Sequence, residues 1–125
     1  MQKNKKILLI EDDLSIDKIY GNKLKRNDFE VSIAITGEEG LHKALMENPD
    51  LILLDLILPD KDGFQVLAEL QKSNQTKDIP VIIVSNLGQE SDIKRGMALG
   101  AKDYLVKANI SLINIIEKIK KYLPK

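Results

Sequence analysis

The chain has 125 residues, 43% of them apolar, and 19 lysines and arginines balance 19 aspartates and glutamates. That length suits one domain with its own core, and the absence of cysteine excludes disulfides and thiolate metal sites. A formal net charge of zero gives no bulk attraction to nucleic acid or an anionic membrane, so direct DNA binding by this segment is not expected.

The start, Met1 to Lys6, is basic, but the apolar run behind it stops at Glu11 and is too short for a secretory signal. No run approaches the ~20 residues that span a bilayer, so a soluble, cytoplasmic protein is expected. The first run, Ile7–Ile10, reads as a strand and ends in Glu11-Asp12-Asp13. Asp13 then suits the N-cap of a helix whose apolar stripe is Ile16, Ile19, Tyr20 and Leu24. A second strand, Val31–Ile35, precedes a helix with Leu41, Ala44 and Leu45 on one face. His42, the one histidine, lies on that helix among polar neighbours and reads as a solvated surface residue, since a lone imidazole makes no metal site.

A third strand, Leu51–Leu54, ends in Asp55, and Phe64, Leu67, Ala68 and Leu70 mark the helix after it. The fourth, Val81–Val84, ends in Ser85; its helix carries Ile93 and Met97, with Gly100 as C-terminal cap. The fifth, Tyr104–Val106, ends in Lys107. The last helix has the clearest period, Leu112, Ile115, Ile116, Ile119 and Leu123, and stops before Pro124. Ile113 lies off that stripe, either as an exposed contact or packed under the preceding loop. Lys118, Lys120, Lys121 and Lys125 form the wet face, favourable near the helix C-terminus.

Short apolar runs alternating with helical segments five times predict an α/β fold: a parallel sheet, buried on both faces, with helices on each side and right-handed crossovers. No repeat, low-complexity segment or linker interrupts the pattern, so residues 1–125 read as a single domain without an output domain.

In such sheets ligands gather at the carboxyl ends of the strands. Those ends carry Glu11, Asp12, Asp55, Ser85 and Lys107. Crowded carboxylates repel unless a cation neutralises them, and a hard divalent ion with oxygen ligands is the natural partner. Helix capping accounts for one of these acids, not for the set. Ser85 alone reads as a turn residue and Lys107 alone as a solvated one; their joint placement at strand ends favours a phosphoryl-binding role.

The stretches Ile7–Asp13, Leu53–Phe64 (with Asp55 through Gly63 as DLILPDKDG), Pro80–Ser85 and Gly100–Lys107 resemble the receiver domains of two-component response regulators. The resemblance covers about residues 5–123, and Ser85 and Lys107 lie 30 and 52 residues after Asp55. It implies a flavodoxin-like (βα)5 fold with sheet order 2-1-3-4-5. It implies that Asp55 accepts a phosphoryl group from a sensor histidine kinase or a histidine phosphotransfer protein. Mg2+ (or Mn2+) would sit on Glu11, Asp12, Asp55 and the backbone carbonyl of Ile57. Ser85 and Lys107 would bind the phosphoryl group, with Ser85 and Tyr104 forming the switch. The output would be a changed surface on the fourth helix, fifth strand and fifth helix, read by a downstream effector this sequence does not identify. The protein would be a monomer or a phosphorylation-dependent dimer, and no enzyme beyond self-directed phosphotransfer and autodephosphorylation.

The sequence departs from the family at four positions. Ala108 replaces the usual proline after Lys107, which favours a trans bond there, because a cis bond to a non-proline residue costs ~2.5–4 kcal/mol. Asn86 replaces a small residue and is expected to hinder inward movement of Tyr104. Ile57 and Leu87 flank the path of the attacking water; both are aliphatic and cannot orient it, so a long-lived phosphoryl group is expected. Ala108 and Asn86 leave an alternative, a pseudo-receiver binding scaffold of the same fold that never takes phosphate, against which the intact Asp55, Asp12, Ser85 and Lys107 count. A nucleotide or flavin carrier is disfavoured, since no GxxxxGK[ST] or GxGxxG turn is present and the acids after strand one repel phosphate without a metal. An aspartate-nucleophile phosphatase lacks its second acid at Ile57.

Overall fold

The computed structural model describes residues 4–124; Met1, Gln2, Lys3 and the Lys125 assigned above to the wet helix face lie outside the described residues. Five strands and five helices alternate: β1 (Lys6–Ile10), α1 (Leu14–Arg26), β2 (Glu30–Ala34), α2 (Gly37–Glu47), β3 (Leu51–Leu54), α3 (Gly63–Lys72), β4 (Val81–Ser85), α4 (Glu90–Ala98), β5 (Asp103–Val106) and α5 (Leu112–Tyr122). A short 3-10 turn, Lys107–Asn109, links β5 to α5. The strands pair in parallel in the order β2-β1-β3-β4-β5, as the resemblance implied.

Strand residues alternate between two cores. Leu8, Ile10, Ile52, Leu54, Val81 and Ile83 pack against α2, α3 and α4 through Ala44, Phe64, Leu67, Leu70 and the partly buried Ile93. Ile7, Leu9, Leu51, Leu53, Ile82 and Val84 pack against α1 and α5 through Leu24, Ile115, Ile116 and Ile119. Burial on both faces explains why the strands read as continuous apolar runs.

Three predicted helix stripes need correction. Ile19, Leu45 and Met97 are 54%, 45% and 43% exposed. Glycines share the inward positions instead: Gly21, Gly40 and Gly96 are all buried. A Cβ on Gly40 would come within 2.6 Å of Ile10 Cδ1, and one on Gly96 within 2.6 Å of Ile83 Cδ1. At Gly40 and Gly96 the helices approach the sheet too closely for a side chain, whereas a Cβ on Gly21 would make an ordinary contact with Ile33 Cδ1 at 3.7 Å. Ile35 falls just outside β2 and is exposed, as is Ile113 at 60%. Of the α5 stripe Ile115, Ile116 and Ile119 are buried and Leu112 and Leu123 partly buried, and Lys118 is half-buried against Asp103 rather than free in water.

The N-terminus of α1 and the C-terminus of α4 are each fixed locally. Asp13 caps α1 by accepting from the N–H groups of Ser15 (2.9 Å) and Ile16 (3.2 Å). Gly100, at φ +109°, donates to the Met97 carbonyl at 3.1 Å while Ala101 donates to that of Gly96 at 3.2 Å, the paired bonds of a Schellman ending. No helix among the described residues is long and apolar enough to cross a membrane.

Candidate functional site

The carboxyl ends of β1, β3, β4 and β5 lie side by side at one rim because the sheet is parallel and in register, with Ile10 beside Leu54 and Ser85 beside Val106. Glu11 and Asp55 are the residues immediately after β1 and β3, and each is still held by its neighbouring strand. The Glu11 N–H donates to the Ala34 carbonyl at 2.9 Å and the Asp55 N–H to that of Ile10 at 3.0 Å. Their side chains are therefore placed by the sheet rather than by mobile loops.

Glu11 and Asp55 are buried, at 2% and 6% exposure, while Asp12 is exposed. Carboxylate oxygens of all three lie within 4.8 Å of one another. Lys107 crosses from the end of β5 to join them: its Nζ donates to Asp55 Oδ2 at 3.0 Å and to Glu11 Oε1. All described peptide bonds are trans, including the one before Ala108, and Lys107 still reaches the acids. The second oxygen of each buried acid is tied to the backbone, with Glu11 Oε2 accepting from Asp13 N–H and Asp55 Oδ1 from Ile57 N–H, both at 3.2 Å.

Burial, and then the Asp55 charge, push the Glu11 carboxyl up to about 7 against the opposing pull of the Lys107 bond. Burial works against the Lys107 ammonium, but its bonds to Glu11 and Asp55 outweigh that and hold it above its ordinary value. One ammonium thus serves two dry carboxylates, leaving the rim short of positive charge. The donor set is all oxygen and hard, which suits a divalent cation such as magnesium or manganese.

The loop after β3 is clamped on both sides. Gly63 N–H donates to the Leu56 carbonyl at 2.9 Å. The Asp60 carboxylate accepts from the first two N–H groups of α2, Gly37 at 2.8 Å and Glu38 at 2.9 Å, and those bonds hold it below its ordinary value. Ile57 projects its side chain outward, 53% exposed.

Ser85 is fully buried at the end of β4, and its Oγ accepts from the Leu87 N–H at 3.4 Å. Tyr104 is turned inward at 8% exposure, with its hydroxyl donating to the Leu87 carbonyl at 2.5 Å. Burial, then Asp92 and Asp55, push that hydroxyl up to about 12. The expectation that Asn86 obstructs this position is corrected. Asn86 points to solvent, so its bulk does not compete with the ring. His42 is exposed, as read from the sequence.

The sequence reading missed Asp17. It lies on the inner face of α1, 3% exposed, and neither carboxylate oxygen has a hydrogen-bond partner. The signal was present: Asp17 stands four residues before Gly21 and seven before Leu24, on the buried line, but an acid is discarded when only apolar residues are counted.

A sequence profile described as the response regulator receiver domain matches residues 7–120. The "DNA-binding dual master transcriptional regulator RpaA" of a Synechocystis species is 41% identical over 102 residues, covering 82% of this chain and 42% of that protein. The chain thus spans about two-fifths of the length of the curated relatives it matches. Among solved structures, a response regulator receiver domain (CheY-like) from Methanospirillum hungatei superposes with a TM-score of 0.88 at 30% identity, covering 94% of this chain and 92% of that one. The Mn2+-bound form of response regulator Rcp1 gives 0.80 at 31% identity, covering 97% and 99%.

Proposed function

This chain belongs to the response regulator receiver domain family, the signalling modules of two-component systems, and from that premise we propose that Asp55 is its phosphoryl acceptor. The observation that carries the assignment is the oxygen cluster of Glu11, Asp12 and Asp55, in which Asp55 is the buried strand-end carboxylate bridged by Lys107. The donor would be a phosphohistidine on a sensor kinase or a phosphotransfer protein. A regulator of this kind would work in the cytoplasm and act on a downstream effector, as monomer or phosphorylation-dependent dimer, with residues 1–125 as one receiver unit.

Glu11, Asp12, Asp55 and the Ile57 carbonyl would hold Mg2+ (or Mn2+), which when bound supplies charge neutralisation for the transferring phosphoryl group. The chain's own residues do the rest. The backbone bond from Ile57 fixes Asp55 Oδ1 and Lys107 holds Oδ2, so the nucleophile presents a set face. An Asp55 oxygen attacks phosphorus, the bond to the donor imidazole nitrogen breaks, and an acyl phosphate forms on Asp55. Lys107 then pairs with a phosphoryl oxygen and Ser85 donates its hydroxyl to another. The bond from the Tyr104 hydroxyl to Leu87 links that movement to the α4-β5-α5 surface. Ile57 and Leu87 offer the attacking water no polar side chain, which supports a slow autodephosphorylation.

The test is incubation with acetyl phosphate and Mg2+, read by intact mass. The wild type should gain one phosphoryl group and Asp55→Asn should gain none. An unmodified wild type, with beryllofluoride and Mg2+ also leaving its spectrum unchanged, would leave the pseudo-receiver scaffold as the reading.

A further inference from the structure

Among the described residues, Asp17 is the one buried carboxylate that the mechanism above leaves unused. An ionised carboxylate out of water without a partner is costly, and such groups are ordinarily paired or neutralised. Asp17 is 3% exposed and has neither remedy from a hydrogen bond among the described residues. Helix capping does not account for it, since Asp13 already accepts from Ser15 and Ile16. A favourable interaction with the α1 dipole would be available to an exposed acid in the same first turn, without the cost of burial.

We propose that Asp17 is a positioning residue for the divalent cation: its dry, unpartnered carboxylate, one turn inside α1 from Asp13, strengthens cation binding at Glu11, Asp12 and Asp55 through space. This rests on the assignment of those three acids as the cation site. The charged groups within Coulombic reach of Asp17 are Asp13 on its own helix, Asp12 at the end of β1 and Lys107 after β5. Burial first, then Asp13 and Asp12, push its carboxyl up to about 6, while Lys107 pulls the other way. Its ionised form is therefore short of positive charge in the cation-free protein. A divalent ion on Asp12 supplies that charge, and by linkage Asp17 raises the ion's affinity by the factor by which the ion favours the Asp17 anion. Burial is what makes the influence reach, because a charge away from water is screened less.

Calorimetric titration of the intact chain with Mg2+ and with Tb3+ at pH 8 tests this, using wild type, Asp17→Asn, Asp17→Leu and Asp12→Asn. Removal of the Asp17 charge should weaken Mg2+ binding about threefold to tenfold, the size of a single-charge effect across several ångströms near a protein surface. A Coulombic effect scales with ion charge, so a fivefold loss for Mg2+ implies a loss of about elevenfold for Tb3+. Both Asp17 variants should also melt hotter than wild type, having lost a buried unpaired charge. Unchanged Mg2+ affinity in the Asp17 variants, with binding lost in Asp12→Asn, overturns the proposal and leaves the cation site standing. Equal losses for the two ions overturn it as well, since a purely structural role does not read ion charge. Failure of the wild type to bind Mg2+ overturns the site assignment itself.

Discussion

Replacing Lys107 with alanine removes the ammonium bridging Glu11 and Asp55. Both acids are buried, so they would face each other with no counter-ion, and breaking a buried pair in this way costs about 3–5 kcal/mol. One effect reduces that cost. Glu11 is already pushed up to about 7, and without the lysine bond it takes a proton still more readily. Each pH unit above that value makes the escape harder by about 1.4 kcal/mol. The metal-free variant should therefore lose about 1–2 kcal/mol at pH 6 and about 3 kcal/mol at pH 8. A domain of this length has roughly 6–19 kcal/mol of stability, so the fold survives and the loss is measurable. Magnesium should narrow the deficit. The ammonium occupies the oxygens that would hold the cation, so Lys107→Ala should bind Mg2+ more tightly, and saturation to 100 times Kd returns about 2.7 kcal/mol. Urea unfolding at pH 6 and pH 8, in chelator and in Mg2+, reads all four quantities. A deficit that ignores both pH and Mg2+ would show that Lys107 acts through packing alone.

In the metal-free wild type, Asp17 and Glu11 are raised from 3.8 and 4.5 to about 6 and about 7, so the folded protein binds more protons than the unfolded chain between roughly pH 4 and 7. Their contribution therefore falls as pH rises through that window, and the urea midpoint should be higher at pH 5 than at pH 7.5, with a smaller difference in Asp17→Asn. A Cβ on Gly63 would sit 2.3 Å from Leu56 Cα and 2.8 Å from the Asp55 carbonyl, both backbone atoms, so Gly63→Ala must displace the loop after β3. It should cost about 1–3 kcal/mol in urea unfolding and weaken Mg2+ binding in calorimetry. Ile57→Asn and Leu87→Glu each place a polar group beside the proposed water path. Both should shorten the lifetime of the phosphoryl group after removal of acetyl phosphate, followed by intact mass; unchanged decay would remove the explanation from aliphatic flanks.

The strands and the acid-bearing rim were legible because each depends on a local feature. A strand buried on both faces is an uninterrupted apolar run, and a parallel sheet puts every strand end on the same side. The helix faces were less legible, and Gly40 and Gly96 show why. Close helix-sheet contact is marked by absent side chains, and a count of apolar residues assigns that position to Leu45 or Met97 instead. Asp17 was missed for a related reason: its burial depends on the line it shares with Gly21 and Leu24, not on its own chemistry. Asn86 was misjudged because its volume was weighed without its direction, which the turn after β4 sends to solvent.

The charges at the rim decide how the proposed modification becomes a change of shape. With all groups ionised, Glu11, Asp12 and Asp55 exceed Lys107 by two negative charges, which one divalent ion cancels. A phosphoryl group on Asp55 brings about 1.5–2 negative charges in place of one, and three acceptor oxygens. The described donors at the neighbouring strand ends that would answer it are Lys107 and Ser85. Ser85 is not free to move alone: its Oγ accepts from the Leu87 N–H, and the Leu87 carbonyl accepts from the Tyr104 hydroxyl. Turning the Ser85 hydroxyl toward Asp55 draws on the 3.4 Å bond, the weaker of the two, and shifts the loop that carries the stronger one. In the proposed switch Leu87 would be the joint between chemistry and surface, acting through its backbone, so its side chain could vary without breaking the link.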